Sequence, residues 1–328
     1  MPLRMKLLLL FSALFSAVIS LLHYTFSEKV ELHSKFSKQS SQVPTQPTIS
    51  FTFDDGNPRD IGAYSLREWN ERLLNALDKH QLKAIFFVKG HGKETPKGQY
   101  LLQSWNDRGH YLGNHTFLHL YYNSKEVSFQ DFEEDFYKGH EVVKDYSNHI
   151  PLFRFPYLKE GNTKEKVEHF RAVLKKNYYK NGAVTIDASD WYINSRLKKR
   201  LKENPKASLE GFKQYYIQHL LDRAAFYEQL AFELTGRHIQ HNILLHHNFI
   251  ASLFLDDLIT AFKEKGWNCI DAHQAFEDPI YNQQPNTIPA GESLIWALAK
   301  EKGTHEDKLR YPAEDSRYEK GAMDELGL

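Results

Sequence analysis

Cysteine is almost absent from this sequence of 328 residues, which contains one, Cys269. A single thiol forms no intramolecular disulfide, and it excludes a cysteine-rich zinc site. Cys269 lies in the apolar run Trp267–Ile270, where we expect it to act as a small buried hydrophobic residue. The chain contains 17 histidines, so a metal or acid–base site is better sought among them.

An excess of charge of either sign is also absent, because 42 basic side chains balance 42 acidic ones. This balance, together with the lack of any DNA- or RNA-binding motif, excludes a basic nucleic-acid footprint, and we expect no nucleic-acid partner. No glycine-rich phosphate loop follows the first predicted strand, which disfavours a dinucleotide-binding protein. The glutamate-bearing helix motif of zinc proteases is missing as well.

The start of the chain is typical of a targeting segment. Arg4 and Lys6 precede residues 7–22, which carry no charge. We interpret residues 1–27 as a signal peptide or N-terminal membrane anchor and residues 28–47 as a polar linker. Either form predicts export to the periplasm or cell envelope, with a membrane tether through residues 7–22 if the leader is kept. A buried helix of the fold is the alternative.

Apolar β-type runs alternate with amphipathic helical segments along the rest of the chain, which predicts a parallel sheet with right-handed crossovers. Seven such runs fit a closed or nearly closed barrel better than an open sheet. The predicted strands are Thr48–Phe53, Ala84–Val88, Tyr111–Asn114, Leu152–Phe155, Ala183–Ile186, Asn242–Leu245 and Trp267–Ile270.

Two adjacent aspartates, Asp54 and Asp55, end the first predicted strand and are followed by Gly56. Phe51 and Phe53 can pack in the core while the strand delivers both carboxylates to its end. Neighbouring carboxylates repel each other, and a nearby cation relieves this repulsion. One aspartate could therefore bind a metal ion while the other acts as a base. A strand that stops in an Asp-Asp-Gly turn is the alternative.

Ionisable residues also follow other predicted strands, and in β/α barrels the reactive groups collect at the carboxyl ends of the strands. The opposite strand ends carry no comparable set, so we expect one rim of the barrel to hold the chemistry. The segments are Asn114–His119, Arg154–Tyr157, Asp187–Trp191 and His246–Asn248.

The histidines His115 and His119 are four residues apart, so on a helical turn both imidazoles would face the same way. Two histidines and one carboxylate form an open three-ligand zinc site. A surface pair is the alternative, but the aspartates at a neighbouring strand end favour the metal site.

Three further positions keep two interpretations each. Arg154 could hold an aspartate ionised or form a structural salt bridge. Asp190 could orient a histidine across the rim or cap the segment that follows it. Strand alternation turns one of His246 and His247 toward the barrel axis and the other outward.

Taken in order, five segments resemble the motifs of the polysaccharide deacetylases, the NodB-homology group that is also carbohydrate esterase family 4. The resemblance implies a deformed (β/α) barrel of about seven parallel strands and a metal-dependent N-deacetylase. It covers residues 48–276, with a helical insertion at about 192–240 and a C-terminal extension at 277–328. The segments are Thr52–Gly56 (TFDDG), His115–His119 (HTFLH), Arg154–Tyr157 (RFPY), Asp187–Trp191 (DASDW) and Leu244–His246 (LLH).

The resemblance also implies a metal centre. Asp55, His115 and His119 would hold a divalent metal, usually Zn²⁺. Asp54 would be the general base, and Arg154 would tether it.

The remaining roles implied by the resemblance concern the proton donor and the substrate. His246 would be the general acid, oriented by Asp190. Trp191 would form a wall of the acetyl pocket, and the backbone N–H of Tyr157 would stabilise the oxyanion. Base and acid must then hold opposite protonation states at the working pH.

The sequence departs from the family pattern at three places: Asn57 follows the first motif, His247 follows His246, and the insertion after Trp191 is long. Because His247 is also a histidine, either residue could be the general acid, and His246 is favoured. The insertion bears on the substrate more than on the reaction.

We therefore expect a hydrolase that releases acetate from N-acetylhexosamine units of a polysaccharide such as peptidoglycan, exopolysaccharide or a chitin-like chain. The alternatives are a metal-dependent amide hydrolase acting on a small non-sugar molecule and a catalytically idle glycan-binding protein.

Overall fold

Strand β1 (Thr48–Asp55) is the centre of the sheet, and all its residues except the half-buried Asp55 are buried. The computed structural model describes residues 44–328, so the predicted leader and almost all of the predicted linker lie outside the described residues. The strands are β1, β2 (Ile85–Val88), β3 (Tyr111–Asn114), β4 (His149–Phe153), β5 (Lys159–Gly161), β6 (Lys180–Asn181), β7 (Gln240–His246), β8 (Asn268–Cys269) and β9 (Ala290–Gly291).

Helices cover the outside of this sheet and build the insertion and the C-terminal extension. They are α1 (Leu66–Lys79), α2 (Pro96–Asp107), α3 (Phe129–Val143), α4 (Lys164–Lys176), α5 (Asp190–Glu203), α6 (Glu210–Thr235), α7 (Phe249–Glu264), α8 (Ala272–Ala275), α9 (Leu294–Lys302) and α10 (Ser316–Glu325). Short 3₁₀ turns occupy Pro156–Leu158 and Pro279–Asn282. No helix within residues 44–328 is long and apolar enough to cross a membrane.

The main sheet has seven strands in the order β6-β4-β3-β2-β1-β7, with β8 paired to the first residues of β1, and every pairing in it is parallel. The segment 180–186 joins the two outer edges of this order. Its Gly182 N–H donates to the Phe153 carbonyl of β4, and its Ile186 exchanges hydrogen bonds with Asn242 and Leu244 of β7. The prediction of a deformed (β/α) barrel with about seven parallel strands is confirmed.

One predicted strand is different in the structure. The run Ala183–Ile186 forms only a bridge from Ile186 to Ile243, and the strand proper is the two-residue β6 before it. The reason is its position in the segment 180–186, the seam that joins the two edges of the sheet. The chain passes there from β4 to β7 and cannot stay paired with either strand.

The insertion after Trp191 consists of α5 and α6, and the C-terminal extension packs against both. Arg196 of α5 pairs with Asp324 of α10 at 2.7 Å, and the Tyr215 hydroxyl of α6 donates to Glu319 at 3.0 Å. Arg223 of α6 lies 2.6 Å from Glu314. These contacts hold α5 beside the carboxyl ends of the strands.

Candidate functional site

The two aspartates of β1 reach one place because the backbone turns sharply between them and the next residue. Asp55 has a φ of 74° and Gly56 a φ of 84°. A Cβ at Gly56 would lie 2.5 Å from the Phe86 ring, so only glycine fits this turn. The left-handed Asp55 breaks the alternation of the strand, and both carboxylates therefore lie within 4 Å of the same His115 nitrogen.

His115 and His119 come together, but not on a helical turn as the spacing suggested. Thr116 and His119 both have left-handed backbones, with φ of 61° and 65°, and the Thr116 hydroxyl accepts a hydrogen bond from the His119 N–H. The segment leaves the buried end of β3 and must turn back over the rim, which a helix cannot do in so few residues. The two imidazole centroids lie 4.8 Å apart.

The ligand atoms of Asp55, His115 and His119 all lie within 4.8 Å of one another. Asp55 Oδ1 is 3.4 Å from His119 Nε2 and 3.9 Å from His115 Nε2. This Oδ1 is buried and has no hydrogen-bond partner among residues 44–328. His115 uses Nδ1 to donate to the Arg154 carbonyl at 2.8 Å, which leaves its Nε2 lone pair directed at the cluster.

The ionisation of these three groups suits a metal. Burial lowers the pKa of His115 to about 4 and that of His119 to about 3, so both are neutral at neutral pH. Burial alone would raise the pKa of Asp55, but nearby positive groups, His246 foremost, lower it to about 2. Two neutral imidazoles, one carboxylate and an orphaned buried oxygen fit a divalent cation.

Asp54 is buried beside this cluster and is held by Arg154, which is itself fully buried. Arg154 Nη1 donates to Asp54 Oδ1 at 2.6 Å and to the Thr52 hydroxyl at 2.8 Å, while its Nε donates to the Gly182 carbonyl at 2.8 Å. Burial raises the pKa of Asp54 to about 6, and Arg154 acts against this rise. The arginine therefore fixes the carboxylate and favours its charged form.

On the β7 side of the rim, His246 Nδ1 lies 2.6 Å from Asp190 Oδ1, and its backbone N–H donates to Asp190 Oδ2 at 2.9 Å. Asn248 donates to the same Oδ2 at 2.8 Å. Burial alone would lower the pKa of His246, but Asp190 and the two aspartates of β1 raise it to about 10. His246 is therefore protonated at neutral pH and directs Nε2 away from Asp190. Ser189, not Asp190, is the N-cap of α5.

His247 points to the other side of the sheet and is almost completely buried. Its Nδ1 accepts from the Asn57 N–H at 3.1 Å, and its Nε2 lies 3.0 Å from Asn70 Oδ1. The ring centroid lies 4.4 Å from that of Trp69. The structure thus separates the two histidines: His246 is at the rim, and His247 supports the loop after β1.

Two exposed aromatic side chains flank the cluster. The Tyr157 ring centroid is 4.5 Å from that of His119, and Tyr157 sits in a left-handed turn with a φ of 57°. Trp191 lies on the opposite side, where it lines a cavity of about 1480 Å³ together with Asp55 and His246. All nine residues predicted from the sequence are therefore placed at this rim.

A second group of candidate metal ligands lies under the C-terminal extension: His219, Glu314 and Glu319. Each of its three side chains lies close to a charged or polar partner, although Glu314 Oε1 makes no hydrogen bond within the described residues. Ser189 donates its N–H to His219 Nε2 at 3.1 Å, His219 Nδ1 lies 3.2 Å from Glu319, and Arg223 lies 2.6 Å from Glu314. This group fits an internal ion-pair network and not a cation site.

Two supporting residues were missed by the sequence interpretation. Asn248 orients Asp190 and also caps α7, and an Asn before an apolar helix is a signal that could have found it. Lys93 is buried and donates to the Gly56 carbonyl at 2.7 Å, which fixes the turn after the aspartates. No sequence pattern predicts that Lys93 is buried.

The solved structures that match this chain include a family 4 carbohydrate esterase from Streptomyces lividans in complex with acetate. It has a TM-score of 0.44 and 18% identity, covering 68% of this chain and 91% of that chain. A family 4 pseudoenzyme from Bacillus anthracis has a TM-score of 0.48 and 19% identity, covering 71% of this chain and 66% of that chain.

Two curated relatives match by sequence. A peptidoglycan-N-acetylglucosamine deacetylase of Bacillus cereus is 30% identical over 160 residues, which are 48% of this chain and 51% of the relative. A second Bacillus cereus protein of the same name is 27% identical over 262 residues, 77% of this chain and 78% of the relative. The chain therefore spans about half the length of the first relative and most of the second.

The barrel and its rim define the class: a parallel α/β barrel protein with a His-His-Asp candidate metal centre at the carboxyl ends of its strands. Residues 41–177 match the family model described as polysaccharide deacetylase. The chain carries a domain of the polysaccharide deacetylase family, and the resemblance found in its motifs is confirmed.

Proposed function

We propose that this protein is a metal-dependent hydrolase that removes N-linked acetyl groups from N-acetylhexosamine units of a polysaccharide and releases acetate. The observation that carries the proposal is the orphaned Asp55 oxygen between two neutral histidines, with a tethered carboxylate and a protonated imidazole beside it. A binding protein needs neither a proton acceptor nor a proton donor in this place. The named relatives, both peptidoglycan deacetylases, support the same reaction.

Asp55, His115 and His119 would hold the cation, for which Zn²⁺ is our choice because two imidazoles and one carboxylate are its usual open ligand set. A divalent cation there would polarise the amide carbonyl and lower the pKa of a water molecule. Asp54 accepts the proton of the attacking water through the oxygen that does not bind Arg154. The backbone N–H of Tyr157 donates to the developing oxyanion.

The amine of the sugar leaves poorly as an anion, so a proton must reach its nitrogen as the C–N bond breaks. His246 supplies this proton from Nε2, since its Nδ1 is bonded to Asp190. Asp190 stabilises the charged imidazole before the transfer and fixes its ring orientation. Arg154 keeps Asp54 in position for the opposite transfer.

A long substrate suits the geometry better than a small one. The cavity of about 1480 Å³ extends beyond the cluster along α5, and it is larger than a single acetylated sugar requires. Trp191 and Tyr157 are exposed and offer flat faces for sugar rings. We propose an exported protein acting on a cell-wall polymer of the peptidoglycan kind, with the leader at residues 1–27 either cleaved or kept as a tether.

The test is an acetate-release assay on N-acetylglucosamine oligomers, peptidoglycan and small acetylated amides, with chelator and with added Zn²⁺. We expect release from the glycans, loss with chelator and recovery with Zn²⁺. Release from small amides alone would favour the small-molecule hydrolase. Glycan binding with no release under any metal would favour the idle binding protein.

Two variants assign roles within this assay. Asp54→Asn removes the proton acceptor and should abolish turnover while the protein keeps its metal. His119→Ala should lose the metal, measured by elemental analysis of the dialysed protein. His169→Ala is the matched control, because His169 pairs with Glu133 on the outer helices. An Asp54→Asn protein with near-normal kcat would refute the role of the base.

A further inference from the structure

The groove that leads away from the metal centre is positively charged, although the whole chain is neutral. Five basic side chains line it against two carboxylates, Asp55 and Asp60. Asp55 belongs to the metal centre, and Asp60 pairs with Lys97 at 2.6 Å. The other four basic side chains have no carboxylate within 4 Å in the part of the chain that the structure describes. They are Arg59, Lys89, Lys198 and Lys202.

Helix α5 contributes one complete face to this groove. Its lining residues recur at helical spacing from Trp191 through Asn194 and Lys198 to Leu201 and Lys202. Lys198 and Lys202 are exposed and one helical turn apart, so both lie on the same wall of the groove. Two unpaired like charges at this spacing repel each other, and an anionic ligand between them would relieve the repulsion.

The opposite face of α5 is fixed to the rest of the protein. Arg196 pairs with Asp324 at 2.7 Å, and Arg196 and Arg200 both donate to carbonyl groups of the last two residues. The arginines of this helix are thus used as anchors, while its two free lysines face the groove. Lys199, between them in sequence, pairs with Glu203 and does not line the groove.

We infer that the groove binds a glycan whose sugar units next to the reacting one carry carboxylates, and that Lys198 and Lys202 recognise these carboxylates. The inference rests on the proposed deacetylase function and specifies its substrate class. Lysine ammonium groups are point charges on flexible stems, so they suit carboxylates spaced along a polymer without requiring the bidentate geometry of an arginine fork. Positive potential in a groove also raises the local concentration of an anionic chain.

The experiment compares three oligosaccharides of equal length by acetate release and by binding titration. The first is a neutral N-acetylglucosamine hexamer. The second alternates N-acetylglucosamine with N-acetylmuramic acid that has free carboxylates, and the third is the same molecule with methyl-esterified carboxylates. The proteins are the natural chain, a Lys198→Gln/Lys202→Gln double variant and the matched control Lys199→Gln.

We expect the free acid to exceed its ester in kcat/KM by roughly three- to tenfold at low salt, as for two exposed charge pairs. This ratio should fall toward one in the double variant and at high salt, and it should persist in Lys199→Gln. The double substitution should lower the rate on the free acid more than it lowers the rate on the ester.

A ratio near one in the natural chain, or a ratio that the double variant keeps, overturns the inference while the deacetylase function stands. Absence of acetate from all three oligosaccharides overturns the proposed function instead. In that case the binding titrations test the inference. The ratio of the dissociation constants of ester and free acid then replaces the ratio of kcat/KM values, and it is compared among the same three proteins.

Discussion

At the scale of single residues, Asp190 determines the charge of His246, the proposed proton donor. Its carboxylate contacts both the ring and the backbone N–H of His246, and among the groups that raise the pKa of this histidine it acts most strongly. A general acid must be protonated to act. If His246 is the general acid, as proposed, its pKa sets the alkaline limit of the reaction.

We predict that Asp190→Asn lowers the pKa of His246 and moves the alkaline limb of the kcat/KM profile to lower pH. The neutral amide cannot stabilise the imidazolium, so the protonated fraction falls at a pH where the natural chain is still active. The measurement is acetate release across the pH range. An alkaline limb that stays in place would show that another group donates the proton.

The placement of the candidate residues at one rim could be predicted from the sequence, because parallel strands end at the same rim and the chain order locates those ends. The convergence of Asp54 and Asp55 on one histidine could not be predicted, because it depends on a left-handed Asp55. The choice between His246 and His247 also needed the fold, because strand alternation gives opposite directions without saying which is inward.

At the scale of elements, helix α3 sets the position of the histidine loop. Gly139 of this helix faces the end of β3, and a Cβ there would lie 2.4 Å from Asn114 Oδ1 and 2.7 Å from the Thr116 carbonyl carbon. His115 lies between these two residues. The close contact of helix and loop therefore determines the position of His115, one of the three candidate metal ligands.

We predict that Gly139→Ala weakens metal binding and lowers the free energy of unfolding by about 1–3 kcal/mol through overpacking. Gly321→Ala in α10 is the matched control, since nothing lies within 4 Å of its Cβ position. Alanine there should stabilise the helix by up to roughly 1 kcal/mol. Zinc titration measures the metal affinity of the two variants, and urea unfolding measures their stability. Equal metal affinity in the two variants would contradict the role of Gly139.

Helix α5 depends on the C-terminal extension for its position. We predict that Arg196→Gln/Arg200→Gln speeds hydrogen exchange of the α5 amides, because the contacts to Asp324 and to the last two residues are lost. The metal content should stay unchanged, because none of the three candidate metal ligands lies on this helix. Lys199→Gln is the control, and exchange as slow in the double variant as in the control would contradict this anchoring.

Most elements could be predicted from hydrophobic periodicity, including α1, α3 and α4, where apolar residues recur at helical spacing over long segments. Helix α2 is harder to predict, because Pro96 and Gly98 stand in its first turn and these residues usually signal a loop. The segment 115–119 was misjudged as helical because a spacing of four carries no information on backbone conformation.

At the scale of the whole molecule, two buried histidines link stability to pH. Burial lowers the pKa of His110 and of His247 to about 3 from an ordinary value of 6.5. Both are neutral in the folded protein, whereas the unfolded chain takes up protons as soon as the pH falls below 6.5. Their stabilising contribution is complete above that value and is lost as the pH falls toward 3.

We predict that the free energy of unfolding falls by about 1.4 kcal/mol per pH unit for each of these histidines between about pH 6 and pH 4. Gln in place of His110 can still accept from the Ala84 N–H but cannot titrate, so His110→Gln should reduce the slope by this amount. Urea unfolding at several pH values measures it. A variant with the slope of the natural chain would contradict the linkage.

The seam at residues 180–186 has a consequence for how the barrel fails on heating. The two edges of the sheet are held there by a two-residue strand and a lone bridge, and the same segment runs directly into Asp187 and Asp190. A transient parting of this seam would carry away the carboxylate that keeps His246 charged, while the aspartates and histidines of β1 and β3 stay in place. Gentle warming would thus impair the proposed proton donation first, while the three candidate metal ligands stay together.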